Sequence, residues 1–394
     1  MNVTTGVVLA AGEGTRLRPL TRNRPKPMLP AGNRPIIEYV LDALLDAGLD
    51  EIVLVVGYRS ARVQEHFGPT YRDVPLTYVH QDKQLGSGHA LLQAREVVDG
   101  PFVAVNGDRV VDPEDVASVV EAFDGETAIA VREHPNASKY GAVRVSGDRL
   151  TELVEKPTSD DYRLINAGIY AFSPAIFDVL AGTEREDGTL FLPNAVASQL
   201  TDTDVTAVRT SGIWVDATYP WDLLAVAREL LSKGWIDEPQ RGPGVHVDPT
   251  ARVHEDATLQ GPVVVGADVE IAAGAVVGPD VALGRNATVE ANATIEGSVV
   301  DADTRVGPGA TLLDCVTGQH ATIGPNALVP GGPSDVRVGQ RVFPDQRLGA
   351  VVADRAELGG GAVCEPGTLV GANALVGAGA YARGRVPEDA EVVR

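Results

Sequence analysis

"VDPTARVHEDATLQGPVVVGADVEIAAGAVVGPDVALGRNATVEANATI", residues 247–295, carries an aliphatic residue at every sixth position without a miss: Val247, Val253, Leu259, Val265, Ile271, Val277, Leu283, Val289 and Ile295. Four places after the first five of these stands a small or β-branched residue: Ala251, Ala257, Val263, Val269 and Ala275. A hexapeptide repeat predicts a parallel β-helix, in which each rung of six residues buries one aliphatic side chain inside a prism. The register slips near Asp301 and resumes at Val306 and Leu312, then at Ile323 and Val329. After an insertion rich in Gly, Pro and charge, at about 330–349, it returns at Val352, Leu358, Cys364, Val370 and Val376. Cys364 thus takes an inward aliphatic position. The two cysteines, Cys315 and Cys364, are far apart and outside any Cys-x-x-Cys, so they read as small buried residues in a reducing compartment, not as a disulfide framework or a zinc site.

Upstream the pattern differs. Residues 5–11, 51–57, 75–79 and 101–106 are short β-branched runs with helical patterns between them. The helix expected from Pro35 to Ala47 has Pro in its first turn and Gly48 after its end. Alternating strands and helices predict a mainly parallel sheet covered on both faces, with ligands at the carboxyl ends of its strands. A last helix from Pro220 to Ser232 carries Leu223, Leu224, Ala227, Leu230 and Leu231 on one stripe. The expected division is an α/β domain over 1–235, a linker over 236–243 and a β-helix over 244–394.

The net charge is −21, with 33 basic and 54 acidic residues. That excludes nucleic acid as a bulk partner, because there is no basic footprint. Five of the basic residues are Lys: Lys26, Lys83, Lys139, Lys156 and Lys233. An acidic surface nearly emptied of Lys reads as adaptation to high salt, where screening relieves self-repulsion; an Arg-biased genome is the alternative. No apolar run approaches the ~20 residues of a membrane span, and no signal-peptide pattern opens the chain, so the expectation is a cytoplasmic protein without membrane contact.

The chemistry concentrates in "VVLAAGEGTRLRPLTRNRPKPMLP", residues 7–30. A strand meets Gly12-Glu13-Gly14-Thr15-Arg16, and glycines at a strand end let backbone N–H groups approach an anion. It is neither a Walker A loop nor the dinucleotide fingerprint, since Leu17 stands where the third Gly belongs. Arg16 offers a fork for phosphate oxygens and Lys26 a point charge. Pro25 and Pro27 stiffen the chain around Lys26.

Residues 12–30 fit Gly-x-Gly-Thr-Arg-Leu-x-Pro-Leu-Thr-x-x-x-Pro-Lys-Pro-Met-x-Pro at every specified position, and here the chain resembles the sugar-1-phosphate nucleotidylyltransferases of the thymidylyl and uridylyl type. The resemblance runs on in order through "QDKQLGSGHA" (81–90), "VNGD" (105–108), "YGAV" (140–143), "VEKP" (154–157), "NAGIY" (166–170) and "WVDATYPWDLL" (214–224). It implies a Rossmann-like domain that transfers a nucleotidyl group from UTP or dTTP to a sugar 1-phosphate with Mg²⁺. It also implies the residues: Arg16 and Lys26 as catalytic cations; Leu9, Ala11, Gly12, Gly14, Thr15, Gln81, Gly86 and Ser87 for the nucleotide; Gly141, Glu155, Lys156 and Asn166 for the sugar; Asp108 and Asp216 for the metal. Taken singly, Asp108 reads equally as a turn residue, Asp216 as a helix N-terminal acid, Glu155 with Lys156 as a solvated pair, Asn166 as a cap, and Ser87 with His89 as a cap and a core histidine.

An α/β domain followed by a hexapeptide prism resembles the bifunctional N-acetylglucosamine-1-phosphate uridylyltransferases, including their archaeal members. That likeness implies a left-handed β-helix, a homotrimer formed through it, and acetylation of glucosamine 1-phosphate from acetyl-CoA. The acetyl-transfer motif His-x-x-Tyr-x-Gly-Asp is absent between residues 295 and 330, where the histidine is His320 in "GQHATIG". Three readings stay open: a nucleotidylyltransferase with a scaffold prism, a bifunctional enzyme, and a non-catalytic regulatory subunit. Intact Arg16, Lys26, Asp108 and Asp216 speak against the third.

Overall fold

The computed structural model describes residues 3–393. They form two compact units: residues 3–13, 25–28 and 36–215, and residues 14–24, 29–35 and 216–393.

In the first unit the β-branched runs become strands β1 Thr5–Ala10, β2 Glu51–Val56, β3 Val74–His80 and β4 Phe102–Asn106. They pair in parallel in the order β4-β1-β2-β3. The same sheet continues through β5 Thr127–Glu133, β6 Gly141–Ser146, β7 Arg149–Glu155, β8 Leu164–Phe172 and β9 Val205–Arg209. This half departs from the parallel expectation. β8 runs antiparallel to β4 and β5, and β6 antiparallel to β7 and β8, while β9 is parallel to β5. The cause is partly local: Gly147 at φ 65 and Asp148 join β6 to β7, and a two-residue turn can connect only antiparallel strands.

Alternation along the strands feeds two cores. Val8, Leu54 and Val105 pack on one face with helices α1 Ile36–Asp46, α2 Ser60–Phe67 and α4 Pro113–Glu121. Val7, Val55 and Ala104 pack on the other with α3 Ser87–Leu92, α5 Ile176–Gly182 and α6 Leu192–Gln199. Successive side chains of a strand point to opposite faces, so one buried run serves both layers.

In the second unit, α7 Asp222–Lys233 buries the expected stripe and ends at Gly234 in the left-handed region. Leu231 and Ile236 pack on Val264 and Ala282 of the prism. The segment read as a linker is tied down: Asp237 pairs with Arg34 at 3.1 Å, Glu238 accepts from the Asn33 amide, and Gln240–Gly242 lies antiparallel to Val245–Val247.

The hexapeptide stretch forms a parallel β-helix of three sheets, with nine, eight and seven strands among the described residues. Val245 pairs with Val263, Arg252 with Glu270 and Thr258 with Val276, each three hexads on. The inward aliphatic residues, with Cys315 and Cys364, make one continuous core. Burial pushes both thiols up, Cys364 to about 12, so neither supplies a thiolate near neutral pH. At the slip, Val264 pairs with Ala282 but Ala282 with Val299, one residue early. Buried hydroxyls satisfy the displaced backbone: Ser298 Oγ accepts from Cys315 N at 2.9 Å and Thr317 Oγ1 from Asp301 N at 2.9 Å. The insertion is an antiparallel hairpin, Pro333–Val338 with Arg341–Arg347. Among the described residues, no helix is long and apolar enough to cross a membrane.

Candidate active site

In the first unit the turn after β4 closes against the end of β1. Gly107 N donates to Leu9 O at 3.0 Å, and a Cβ on Gly107 would stand 2.9 Å from Val8 Cγ1, so only glycine permits the approach. Asp108 follows. Its Oδ2 accepts from Lys26 Nζ at 2.7 Å, which brings together the proline-flanked lysine and the acid 82 residues away. The Lys26 side chain is 11% exposed and that of Asp108 34%, so the pair is sheltered yet open on the carboxylate side.

Two further side chains, Gln84 and His89, support the segment 81–90; the sequence reading gave Gln84 no role and took His89 only as a core histidine. Gln84 Nε2 donates to Ala11 O at 2.7 Å and its Oε1 accepts from Glu13 N at 3.3 Å, which clamps the chain on either side of Gly12. A Cβ added at Gly12 meets nothing within 4 Å, so no packing demand explains that glycine and room remains for a ligand beside its backbone. Gln81 is 5% exposed. Its Nε2 donates to Gly86 O at 3.1 Å and to Nδ1 of His89 at 3.0 Å. Gly86 has φ 101, and a Cβ there would meet Leu190 O at 2.3 Å. Ser87 Oγ accepts from Leu192 N at 3.1 Å, a tie between α3 and α6.

Desolvation, then Arg185, holds the His89 imidazole below its ordinary value of 6.5. Near neutral pH it is therefore the neutral acceptor that Gln81 needs. As pH falls through the lowered value, a protonated Nδ1 faces the Gln81 amide hydrogens and the pair breaks. On the nucleotide role that the resemblance implies for Gln81, the triphosphate KM is expected to rise about fivefold toward acid pH, the scale of one hydrogen bond, and His89→Leu should show that higher KM already at neutral pH. Identical pH profiles for variant and wild type would refute the role of His89.

The residues assigned to the sugar converge on β6, β7 and β8. Gly141 is in register with Glu155, and a Cβ on Gly141 would lie 3.2 Å from Glu155 Oε2 and 3.6 Å from Asn166 Cβ. Lys156, at φ 45, sets its Nζ 3.0 Å from Glu155 Oε1. Asn166 is 5% exposed, donates to Tyr170 OH at 2.6 Å and accepts from Gly168 N at 2.9 Å. Burial raises the Tyr170 phenol to about 12, so it stays a neutral partner.

In the second unit Gly14 adopts φ 66, and its carbonyl accepts from Leu17 N at 2.9 Å and Thr21 Oγ1 at 2.8 Å. Thr15 and Arg16 are exposed on the short turn that follows, with the Arg16 guanidinium 5.8 Å from the Tyr219 ring centroid. Asp216 Oδ2 accepts from Thr218 Oγ1 at 2.8 Å, and Asp222 Oδ2 accepts from Thr218 N and Tyr219 N at 2.9 and 2.7 Å. Among the described residues no group of three or more His, Cys, Asp or Glu side chains could hold a metal alone. Mg²⁺ does not require one, since it binds through one or two carboxylates with water and substrate phosphates, and Asp108 and Asp216 are hard oxygen donors of that kind.

Residues 242–346 match the GMPPB C-terminal domain. The chain is 28% identical over 390 residues to the "Bifunctional protein GlmU" of Methanococcus maripaludis, covering 94% of this chain and 93% of that one. It is 36% identical over 224 residues to the UTP–glucose-1-phosphate uridylyltransferase AglF of Haloferax volcanii, covering 55% and 92%. It is 32% identical over 352 residues to the low-salt glycan biosynthesis nucleotidyltransferase Agl11 of the same organism, covering 81% and 93%. A UDP-glucose pyrophosphorylase solved with UDP-glucose shares the fold, with a TM-score of 0.54 at 23% identity over 59% of this chain and 99% of that one. Residues 5–233, more than half of the sequence, match the nucleotidyl transferase family, and the chain belongs to that family.

Proposed function

We propose that the chain transfers a nucleotidyl group from UTP or dTTP to a sugar 1-phosphate of the glucose or N-acetylglucosamine type and releases pyrophosphate. The observation that carries this reading is the Lys26–Asp108 pair at the carboxyl end of the parallel strands. The names of the relatives, uridylyltransferase and nucleotidyltransferase, support it.

The sugar-phosphate oxygen attacks the α-phosphorus, a new P–O bond forms, and the bond to the β-phosphate oxygen breaks with its electron pair leaving on pyrophosphate. The nucleophile is already anionic, so no side chain need take a proton, and the work is positioning and charge stabilisation. Lys26, aimed by Asp108, holds the transferring phosphate. Arg16 offsets charge on the departing pyrophosphate, and the backbone of Gly12, Gly14 and Thr15 lies along the phosphates. Leu9 and Ala11 brace that loop, and Gln81, Gly86 and Ser87 hold the base. Gly141, Glu155, Lys156 and Asn166 form the sugar pocket. Mg²⁺, held by Asp108 and Asp216, would supply charge neutralisation to phosphate oxygens.

The test is a matrix of UTP, dTTP, ATP and GTP against glucose 1-phosphate and N-acetylglucosamine 1-phosphate, with pyrophosphate as readout. UTP or dTTP is expected to react with at least one sugar. Silence of folded protein with every pair refutes the assignment.

The β-helix is read as a scaffold for self-association. His320 belongs to a column of left-handed corner residues, with Asn286, Asp303, Arg355 and Asn373 at φ 56–60, and its side chain is 53% exposed. A corner explains its conformation without acetyl chemistry. The relatives named bifunctional keep acetyl transfer from acetyl-CoA as the second reading, and thiol release with glucosamine 1-phosphate would establish it. The seven-stranded sheet turns Thr258, Val276, Thr294, Thr311, Leu328, Val363 and Tyr381 outward with Glu296 as its charged member, whereas the eight-stranded sheet turns Arg252, Glu270, Arg305, Glu357 and Glu391 outward. In so acidic a chain a sheet face this poor in charge fits a second and third copy, and light scattering in molar KCl tests the trimer. A cytoplasmic, salt-rich setting completes the reading, supported by the net charge of −21.

A further inference from the structure

The hairpin 333–347 leaves the prism and returns without disturbing it: Thr322 still pairs with Glu357 and Ile323 with Leu358. The stack therefore does not need it, yet its base is held firmly. Arg347 Nε donates to both oxygens of Asp314, at 2.9 and 3.0 Å, and Gly332 N donates to the same carboxylate at 3.1 Å. Arg228 of α7 reaches Asp314 at 3.3 Å. The Asp314 side chain is 4% exposed and that of Arg347 65%, so a buried carboxylate anchors an arginine that lies on the surface.

The returning strand then presents Phe343 to the loop before α7. Its ring lies 4.5 Å from the Tyr219 centroid and 5.3 Å from that of Trp221. Tyr219 and Trp221 are stacked at 4.9 Å with an interplanar angle of 10°. Arg16 stands over the Tyr219 ring of this stack, its guanidinium carbon 5.8 Å from the centroid. An aromatic face attracts a guanidinium, and a third ring packed on the pair at a tilt removes its freedom to swing.

We propose that the hairpin is a strap for the phosphate-handling arginine: Phe343 fixes the Tyr219–Trp221 plate, and the plate holds Arg16 ready for the β- and γ-phosphates. Phe343 is thus a positioning residue that acts through Tyr219. The inference rests on the assignment of Arg16 made above. An exposed arginine that is not held must be ordered when the ligand arrives, and that cost appears in binding.

The test is steady-state kinetics of Phe343→Ala, Phe343→Leu and Phe343→Tyr in the full chain, with thermal melting alongside. Phe343→Ala should raise the triphosphate KM roughly tenfold, in line with loss of a held cation–π contact. Its kcat and sugar 1-phosphate KM should stay at wild-type values. Phe343→Tyr should restore the wild type, and Phe343→Leu, which keeps bulk without a ring, should fall between. The double variant with Tyr219→Ala should be no worse than Tyr219→Ala alone. A triphosphate KM equal to wild type in Phe343→Ala and Phe343→Leu overturns the strap. So does a parallel rise for both substrates, which would report general loosening. Wild-type protein without pyrophosphate release would instead sink the transferase reading itself.

Discussion

Replacing Asp108 with Asn is expected to lower turnover about a thousandfold, the scale of losing one preorganised charge at a reacting phosphate, while the melting temperature hardly moves. Asn keeps the shape of the turn after β4 and leaves an oxygen for Lys26 Nζ, which lies 2.7 Å from the carboxylate. What disappears is the negative charge. Lys26 then lacks the counter-ion that aims it, and the anionic donor proposed for Mg²⁺ is gone. Stability should lose about 1 kcal/mol or less, because the Asp108 side chain is 34% exposed and water screens the pair. Pyrophosphate release at saturating substrate, measured beside thermal melting, separates the two effects. Turnover within tenfold of wild type would remove Asp108 from the chemistry.

The second large effect concerns stability. Arg24 is 3% exposed. Its Nη1 lies 2.5 Å from Asp301 and its Nη2 3.2 Å from Asp354, two acids of the prism whose side chains are 10% and 9% exposed. Arg24→Met leaves these carboxylates buried without their cation, a change that costs about 3–5 kcal/mol and roughly 10 °C in melting temperature for a unit of this size. The loss has a pH signature. Burial pushes the Asp301 carboxyl up from its ordinary 3.8, and Arg24 opposes that push. A raised folded value means that the stability linked to this group is full below the ordinary carboxylate range and is lost as pH rises through the folded value. Removing Arg24 moves that value higher still. The deficit of Arg24→Met is therefore expected to be largest near neutral pH and to shrink in acid. Adding Asp301→Asn and Asp354→Asn should recover most of the stability. A single variant that melts with wild type across the pH range would show that the triad carries no weight.

Period and punctuation were legible in the sequence. Six-residue spacing placed Val265 through Ile295 and Cys364 inside the prism, and a proline and a glycine bracketed the helix at 36–46. Arg16 and Lys26, the cations proposed to handle phosphate, stood out because glycine, arginine and a proline-locked lysine are unusual together. The partners of those residues were not. Nothing local marks Arg24, in "RNRPKP", as the counter-ion of acids more than 270 residues later, since an ion pair between distant segments exists only once the chain is folded. Gln84 and His89 lay inside a quoted motif, but their roles depend on where Ala11 and Gln81 sit. The antiparallel half of the sheet hid for another reason: strands buried on both faces look alike whatever their direction.

The hairpin at 333–347 also bears on how this molecule can change. Each coil of the prism touches only the coils above and below it, and the ladder resumes in step on the far side of the excursion. A corner of such a stack is a point where chain can be added or removed while the coils stay in step. Doubling the length of a flexible excursion costs only ~0.6 kcal/mol of closure entropy. The corner after Val329 is thus a natural grafting point, where inheritance or an engineer can exchange one passenger for another while the prism continues to count in sixes.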